Sequence, residues 1–392
     1  MKVFLITTSS FPYGMADTKR LLCYAKAICH SGTECEVVVY KRNSGFNNSI
    51  SDGEVEGIPF HYVSITPSRS NNYLFARISD FLDRFRLISY LAKKIKKTDI
   101  VFCYGSLYTT ILIDLLHLKG GYFVVNLTEY PFFSGCKSLF QKYYRWFLLK
   151  KLFPKCDGVI SISDALVTFA QENTSSKCKH LKVPILVDFK SYDLKDLSQE
   201  NKEKSFIFHA GSLTESKDGI LGMLEAFGLY SKKYSSELDF ICTGTIEKSP
   251  HCKEIKELIQ RYQLGDRVHF TGYLTGDEYR DLLQKATLVI INKYPTLQNK
   301  YCFSTKLGEY MAAGKAIIIT NVGEAMNWVH DEKDVFIVPP QDVNTLADKI
   351  EYVLSRQDLR RNVSRQARET CLECFDYKNY GRTLLGFFSE LE

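Results

Sequence analysis

The run Ala316-Ile317-Ile318-Ile319, entered from a segment that stops at Gly314, constrains the fold of this chain most. Four apolar residues in a row offer no polar side to water. The strand they form must be covered on both faces, as strands of parallel sheets are. The residues before it, Phe303 to Ala313, read as a helix. Ser304 or Thr305 can serve as its N-cap, and Gly314 suits the left-handed position just past its end. A helix start in such a loop gathers unpaired N–H groups and positive dipole, which makes it a seat for phosphate. Glu309 lies about one turn inside, where a carboxylate can reach sugar hydroxyls beside that phosphate. The same residues also suit an ordinary capped helix with Glu309 in solvent, and the segment alone leaves both readings open.

Short apolar runs alternate with longer amphipathic ones along the rest of the chain. Val3 to Ile6, Glu36 to Tyr40, Asp99 to Tyr104, Tyr122 to Asn126 and Gly158 to Ser161 read as strands, and Thr18 to His30 as a helix with Leu21, Leu22, Ala25 and Ile28 on one side. Ser191 to Lys204 is polar and charged, and the rhythm restarts after it with Ser205 to Gly211, Leu238 to Cys242, Val268 to Phe270 and Thr287 to Ile291. Alternation of this kind predicts α/β architecture with doubly wound parallel sheets. A length of 392 residues favours two domains. The expected divisions are 1–185, 186–375 and a C-terminal helix, 376–392, packing back on the first domain. Ligands of such sheets sit at the carboxyl ends of the strands.

With 51 basic and 45 acidic residues, the charge excess is too mild to imply nucleic acid, but it tolerates anionic substrates or an anionic membrane surface. Twelve cysteines are scattered. One Cys-x-x-Cys, Cys371 and Cys374, stands alone in a helical stretch without further ligands, so neither zinc nor redox spacing is present. The cysteines read as reduced, small apolar residues of a cytosolic protein. The apolar start, Met1 to Ile6, is too short for a signal-peptide core, and no run of about 18 apolar residues occurs.

Several segments, in order, resemble family 4 glycosyltransferases of the GT-B type over nearly the whole chain. Phe11-Pro12-Tyr13-Gly14 is similar to the family's N-terminal glycine loop, and Ser31 to Val37 to the lead-in to its second strand. His209-Ala210-Gly211-Ser212-Leu213 with Lys217 and Gly219 resembles its phosphate-binding strand and loop. Val268 to Leu274 and Thr305 to Ile319 resemble two further segments, the second being the acidic helix and its strand. The resemblance implies two Rossmann-like domains facing a cleft, the first for acceptor and the second for a nucleoside-diphosphate-sugar, with metal-independent transfer that retains configuration. The sequence departs from the family pattern at Tyr301, where a Glu is common, and at Ser212, where an Arg is common. These departures leave room for a different sugar grip, a backbone-only phosphate site or a non-catalytic scaffold. A sugar-nucleotide epimerase of related architecture is the other enzyme reading.

The resemblance implies roles for particular residues. Lys217 becomes the main cation for the diphosphate, a compact charge suited to a leaving oxygen. Gly14 and Gly211 let backbone approach the donor, Ser212, Ser304 and Thr305 add contacts, and Glu309 matches the ribose-binding carboxylate. Glu129, after a buried strand, is placed to orient the acceptor hydroxyl or meet the donor sugar. No Asp-x-Asp occurs, in keeping with the expectation of no metal and no cofactor beyond the sugar nucleotide.

The segment Cys136 to Lys155 carries Lys137, Lys142, Arg145, Lys150, Lys151 and Lys155 and no acid. At helical spacing Phe140, Tyr143, Tyr144 and Phe147 are expected to face the core, leaving Lys142, Arg145, Trp146 and Leu149 on another face. Trp, Leu and cations together suit an anionic membrane surface, and a basic solvated helix has the same pattern. The expected partners are a nucleotide-sugar donor and a glycan or lipid-linked glycan acceptor, with the protein in the cytoplasm and peripheral to the membrane's inner face.

Overall fold

Strands of three to six residues, most of them apolar runs, build two separate, mainly parallel sheets in the computed structural model of the chain. It describes residues 1–42, 48, 50–65, 68–103, 109–132, 138–192, 205–234 and 237–392. Of the residues read above, Tyr104, Cys136, Lys137 and the polar stretch 193–204 lie outside these. The described chain divides into two compact units, Met1–Leu186 with Tyr377–Glu392, and Val187–Asp376.

The first unit holds β1 (Lys2–Thr7), β2 (Glu34–Val39), β3 (Asp52–Val55), β4 (Ile58–Tyr62), β5 (Ile100–Cys103), β6 (Tyr122–Leu127), β7 (Gly158–Ser161) and β8 (Lys179–Lys182), in sheet order β3-β4-β2-β1-β5-β6-β7-β8. All pair in parallel except the hairpin β3–β4. Its two-residue turn, Glu56-Gly57, has φ of 50° and 80°, the positive values that a tight hairpin demands. β1, β5 and β6 are almost wholly buried, as their unbroken apolar runs require. The helix Ala16–His30 covers one face together with the C-terminal helix Gly381–Ser389. Side chains at two glycines would keep that last helix away. A Cβ on Gly381 would stand 2.6 Å from the Ala27 carbonyl oxygen, and one on Gly158 would stand 2.7 Å from the Phe387 ring.

The second unit holds β9 (Phe206–His209), β10 (Asp239–Cys242), β11 (Val268–Phe270), β12 (Leu288–Ile291), β13 (Ile317–Thr320) and β14 (Phe336–Val338), parallel throughout in the order β11-β10-β9-β12-β13-β14. Its core joins Ile207, Phe240, Ile290 and Ile318 to Met223 and Phe227 of the helix Ile220–Tyr234. Because the strands are parallel, the ends at His209, Ile291 and Thr320 share one edge of the sheet, and the loops leaving them gather there.

Candidate donor-binding site

The site is built where β9 ends. Three successive backbone amides in this loop already have acceptors: Ala210 N–H donates to the Tyr310 hydroxyl (2.9 Å), Gly211 N–H to Thr243 Oγ1 (3.0 Å) and Ser212 N–H to Asp218 Oδ2 (2.9 Å). The Ser212 hydroxyl also donates to Asp218 Oδ2 (2.7 Å). Gly211 is small for a concrete reason. A Cβ there would run into Lys306 Nζ and stand 2.8 Å from Asp218 Oδ2 and 2.9 Å from His209 Nε2.

Asp218 is buried at the end of the short helix Glu215–Asp218 and shares one oxygen between two lysines. Lys306 Nζ lies 2.8 Å from Oδ1 and Lys293 Nζ 3.4 Å. Lys293 also donates to the Lys217 carbonyl (2.8 Å). Burial alone would raise the Asp218 carboxyl, but Lys306 and Lys293 hold it well below the usual carboxylate range. Burial lowers the Lys306 ammonium, and Asp218 opposes that. His209 completes the cluster. Its Nδ1 faces the Ile290 carbonyl (3.2 Å), while Nε2 is buried with no partner among the described residues. Burial, with Lys306 beside it, lowers the imidazole to about 4, so it is neutral near pH 7.

The helix Thr305–Ala312 supplies the other wall. Ser304 is its N-cap residue but makes no side-chain cap bond. Among the described residues the N–H groups of Thr305 and Lys306 find no acceptor, so the helix start presents open donors. The far end of the helix is clamped. Arg368 donates to the Ala312 carbonyl, and Cys371 Sγ donates to the Gly308 carbonyl at 3.4 Å. Gly314 takes φ 63°, the left-handed position that the sequence predicts for it. Glu309 is half-buried and accepts a 2.6 Å hydrogen bond from the buried Tyr279 hydroxyl.

Gly211, Ser212 and Lys217 thus share one loop, Ser304, Thr305 and Glu309 share one helix, and the Asp218–Lys306 pair joins the two. Lys217 itself is exposed. Lys306, Lys293, Asp218 and His209 carry no role in the sequence reading. Counting Lys217, Lys293 and Lys306 against Asp218, the cluster has a surplus of two positive charges, a match for a diphosphate. Ser212 supplies no guanidinium. Its hydroxyl instead helps to hold the carboxylate that positions two lysines.

In the first unit Gly14 follows β1 and Glu129 follows β6, both at carboxyl ends of strands. A Cβ on Gly14 would run into Thr18 Oγ1 and stand 2.6 Å from the Ser10 carbonyl oxygen, so the loop's own packing needs glycine there. Glu129 is exposed. The basic segment forms the helix Leu139–Phe147, closed at its start by a capping box of Ser138 and Gln141, then a π turn, Leu148–Leu152. Here the expectation about faces fails. Phe140 and Tyr143 are exposed, Tyr144 and Phe147 only half-buried, and the helix buries no residue. The segment is anchored inward only after this helix, through Leu148 and Leu152 of the π turn, so the helix itself has no core for its aromatic face to meet. Lys142, Arg145 and Trp146 are exposed as expected, while Leu149 is half-buried.

Residues 193–370 match the family model of the glycosyl transferases group 1. An uncharacterised glycosyltransferase of Methanocaldococcus jannaschii is 24% identical over 196 residues, 50% of this chain and 47% of that protein. An N-acetyl-alpha-D-glucosaminyl L-malate synthase of Bacillus anthracis is 24% identical over 225 residues, 56% of each chain. The chain therefore spans about half the length of the curated relatives it matches. Among solved structures, sucrose-phosphate synthase of Thermosynechococcus elongatus superposes with a TM-score of 0.74 at 17% identity, over 100% of this chain and 98% of that one. The Anabaena protein HepE, solved in complex with UDP, gives 0.70 at 15% identity over 99% and 100%. The fold is thus the GT-B type.

Proposed function

We propose that this chain transfers a sugar from a nucleoside-diphosphate-sugar to a glycan or glycolipid precursor, with retention of configuration and without a metal. The observation that carries the reading is the Lys217, Lys293, Lys306 and Asp218 cluster beside the open amides of Thr305 and Lys306. Charge grows on the leaving diphosphate as the glycosidic bond to it breaks. Ammonium groups held in place before that moment lower the barrier without reorganising. Glu309 would take the ribose hydroxyls, exchanging its bond from Tyr279. Glu129 would orient the acceptor, and Gly14 would admit donor or acceptor close to the backbone. The UDP in HepE and the names of the two curated relatives support this class of donor. The exposed cations and Trp146 of the helix Leu139–Phe147 suit a cytoplasmic enzyme resting on an anionic membrane.

A thermal-shift screen against UDP, GDP and ADP, followed by incubation with their sugars with and without lipid-linked acceptors, tests the proposal. Stabilisation by one nucleotide and transfer of its sugar are expected. No stabilisation by any of them would sink it, and an isomerised donor would point to an epimerase.

A further inference from the structure

The helix Tyr73–Lys94 is amphipathic the wrong way round over its first half. The residues it buries there are Ala76, Ser79 and Asp83, spaced three and four apart. Outward it presents Tyr73, Leu74, Phe75, Ile78, Phe81 and Phe85, with Leu74 71%, Phe75 62% and Ile78 60% exposed. This is no frayed end, because the Asn72 side chain caps the helix by accepting from Leu74 N–H (3.1 Å) and Phe75 N–H (3.2 Å). The inverted orientation is fixed from inside. Asp83, fully buried, pairs with Arg42 at 3.1 Å and Arg86 at 2.6 Å, and Asp80 pairs with Arg69 at 2.8 Å. Both acids of the helix are thereby engaged by arginines, while Arg77 and Arg84 stand exposed among the aromatic residues.

The neighbouring elements extend the same surface. Right-handed crossovers from β4 to β5, β5 to β6 and β6 to β7 place this helix, Thr109–Leu118 and Leu139–Leu152 on one face of the sheet, opposite Ala16–His30. Thr109–Leu118 packs against both of the others and exposes Ile111. Between Ser138 and Cys156 there is no acid.

We propose that the Tyr73–Phe85 face is a membrane-insertion surface that seats this unit on an anionic bilayer. Rings and aliphatic side chains at this density fit the boundary between headgroups and acyl chains, and the arginines at their edge meet lipid phosphate. Charge selects this occupant over a second copy of the chain, because a twofold contact through the face would bring its arginines toward their own copies. The proposal rests on the peripheral-membrane reading above and assigns the penetrating element to a different helix.

Co-sedimentation of the full chain with phosphatidylglycerol/phosphatidylcholine vesicles, and with phosphatidylcholine alone, is the test. The wild type is expected to bind the anionic vesicles and to release in high salt. Phe75→Glu/Phe81→Glu should lower binding more than about tenfold, and Phe75→Ser/Phe81→Ser by less, with thermal midpoint and nucleotide binding unchanged. Binding by both double variants equal to wild type would overturn the proposal. If Trp146→Glu then abolished binding, the reading of the Leu139–Phe147 helix would survive alone. A wild type that ignores anionic vesicles, or a lipid-free dimer that the variants turn into monomer, would overturn it as well.

Discussion

The two sheets break opposite rules of folding. At the carboxyl edge of the second sheet the chain buries charge: Asp218 is 3% exposed, and the side chains of Lys293 and Lys306 are 10% and 18% exposed. On one face of the first sheet the chain exposes what folding normally hides, with aromatic residues outward and Asp83 inward. Each violation is held in place by the same device, a buried aspartate shared between two cations. Around Asp218 the cations lean toward an open helix start, so the pair organises a polar site. Around Asp83 one cation, Arg42, reaches in from outside the helix and the other, Arg86, comes from the next turn of the helix itself, and Asp83 is held inward away from the aromatic face. A buried ion pair is weak evidence for stability, because desolvation offsets most of its attraction. What it supplies in both places is orientation.

The sharpest way to break this comparison is to remove one cation. Lys306→Ala leaves Asp218 buried with its nearer partner gone, and the fold should lose about 3–5 kcal/mol in urea unfolding. Adding Asp218→Asn should restore much of that loss, because the uncompensated charge goes with it. A single variant within about 1 kcal/mol of wild type would show that Lys293 alone neutralises the carboxylate.

Lys217 divides stability from chemistry. It is exposed, so Lys217→Ala should unfold like wild type, yet turnover at saturating donor should fall by about 10²–10³. Lys217→Arg should recover only part of this, since a planar fork replaces a point charge. Turnover within about threefold of wild type would assign the leaving charge to Lys293 and Lys306 instead.

Glu309 sharpens the site further. Glu309→Ala should weaken nucleoside-diphosphate binding by about 1.5–3 kcal/mol in calorimetry, the scale of a charged hydrogen bond. Tyr279→Phe is the control, since it removes the hydroxyl that Glu309 accepts from and keeps the carboxylate. An equal loss from Tyr279→Phe would mean that Glu309 acts by holding the helix in place.

These experiments also mark where the sequence was legible. The strands were, because buried parallel strands must be apolar runs, and Ile317-Ile318-Ile319 has no other use. Gly314 and the helix ahead of it were legible for a similarly local reason. The hairpin β3–β4 was not read, since its strands are short and mostly polar outward. The charged cluster was hidden for a different reason. Little in the local sequence separates Lys306, whose side chain is 18% exposed, from Lys217, which is exposed: each follows a hydroxyl residue near the start of a helix. Only the meeting of the loop after β9 with the helix Thr305–Ala312 decides which one pairs with Asp218. In the segment Leu139–Leu152 the 3.6-residue period picked out an aromatic face, but period alone does not say whether a face meets a core, and the helix Leu139–Phe147 buries no residue.

His209 gives the smallest effect and the most selective one. Its folded-state value is about 4 against an ordinary 6.5. The unfolded chain therefore takes up a proton below about pH 6.5 that the native chain refuses until about pH 4, and stability must fall as pH drops through that window. Asp218 also loses its contribution on acidification, but as a depressed carboxylate it does so only once the pH falls below the ordinary carboxylate range. Between pH 7 and pH 5 the two are therefore separable. His209→Gln keeps a donor for the Ile290 carbonyl but cannot titrate, so it should remove about 1–2 kcal/mol of the wild type's loss of stability between those pH values. Urea unfolding of both proteins at pH 7 and pH 5 measures the difference. Parallel pH dependences would mean that the native imidazole takes up its proton as the unfolded chain does, and the positive charge of the diphosphate seat would then have to be counted again below about pH 6.5.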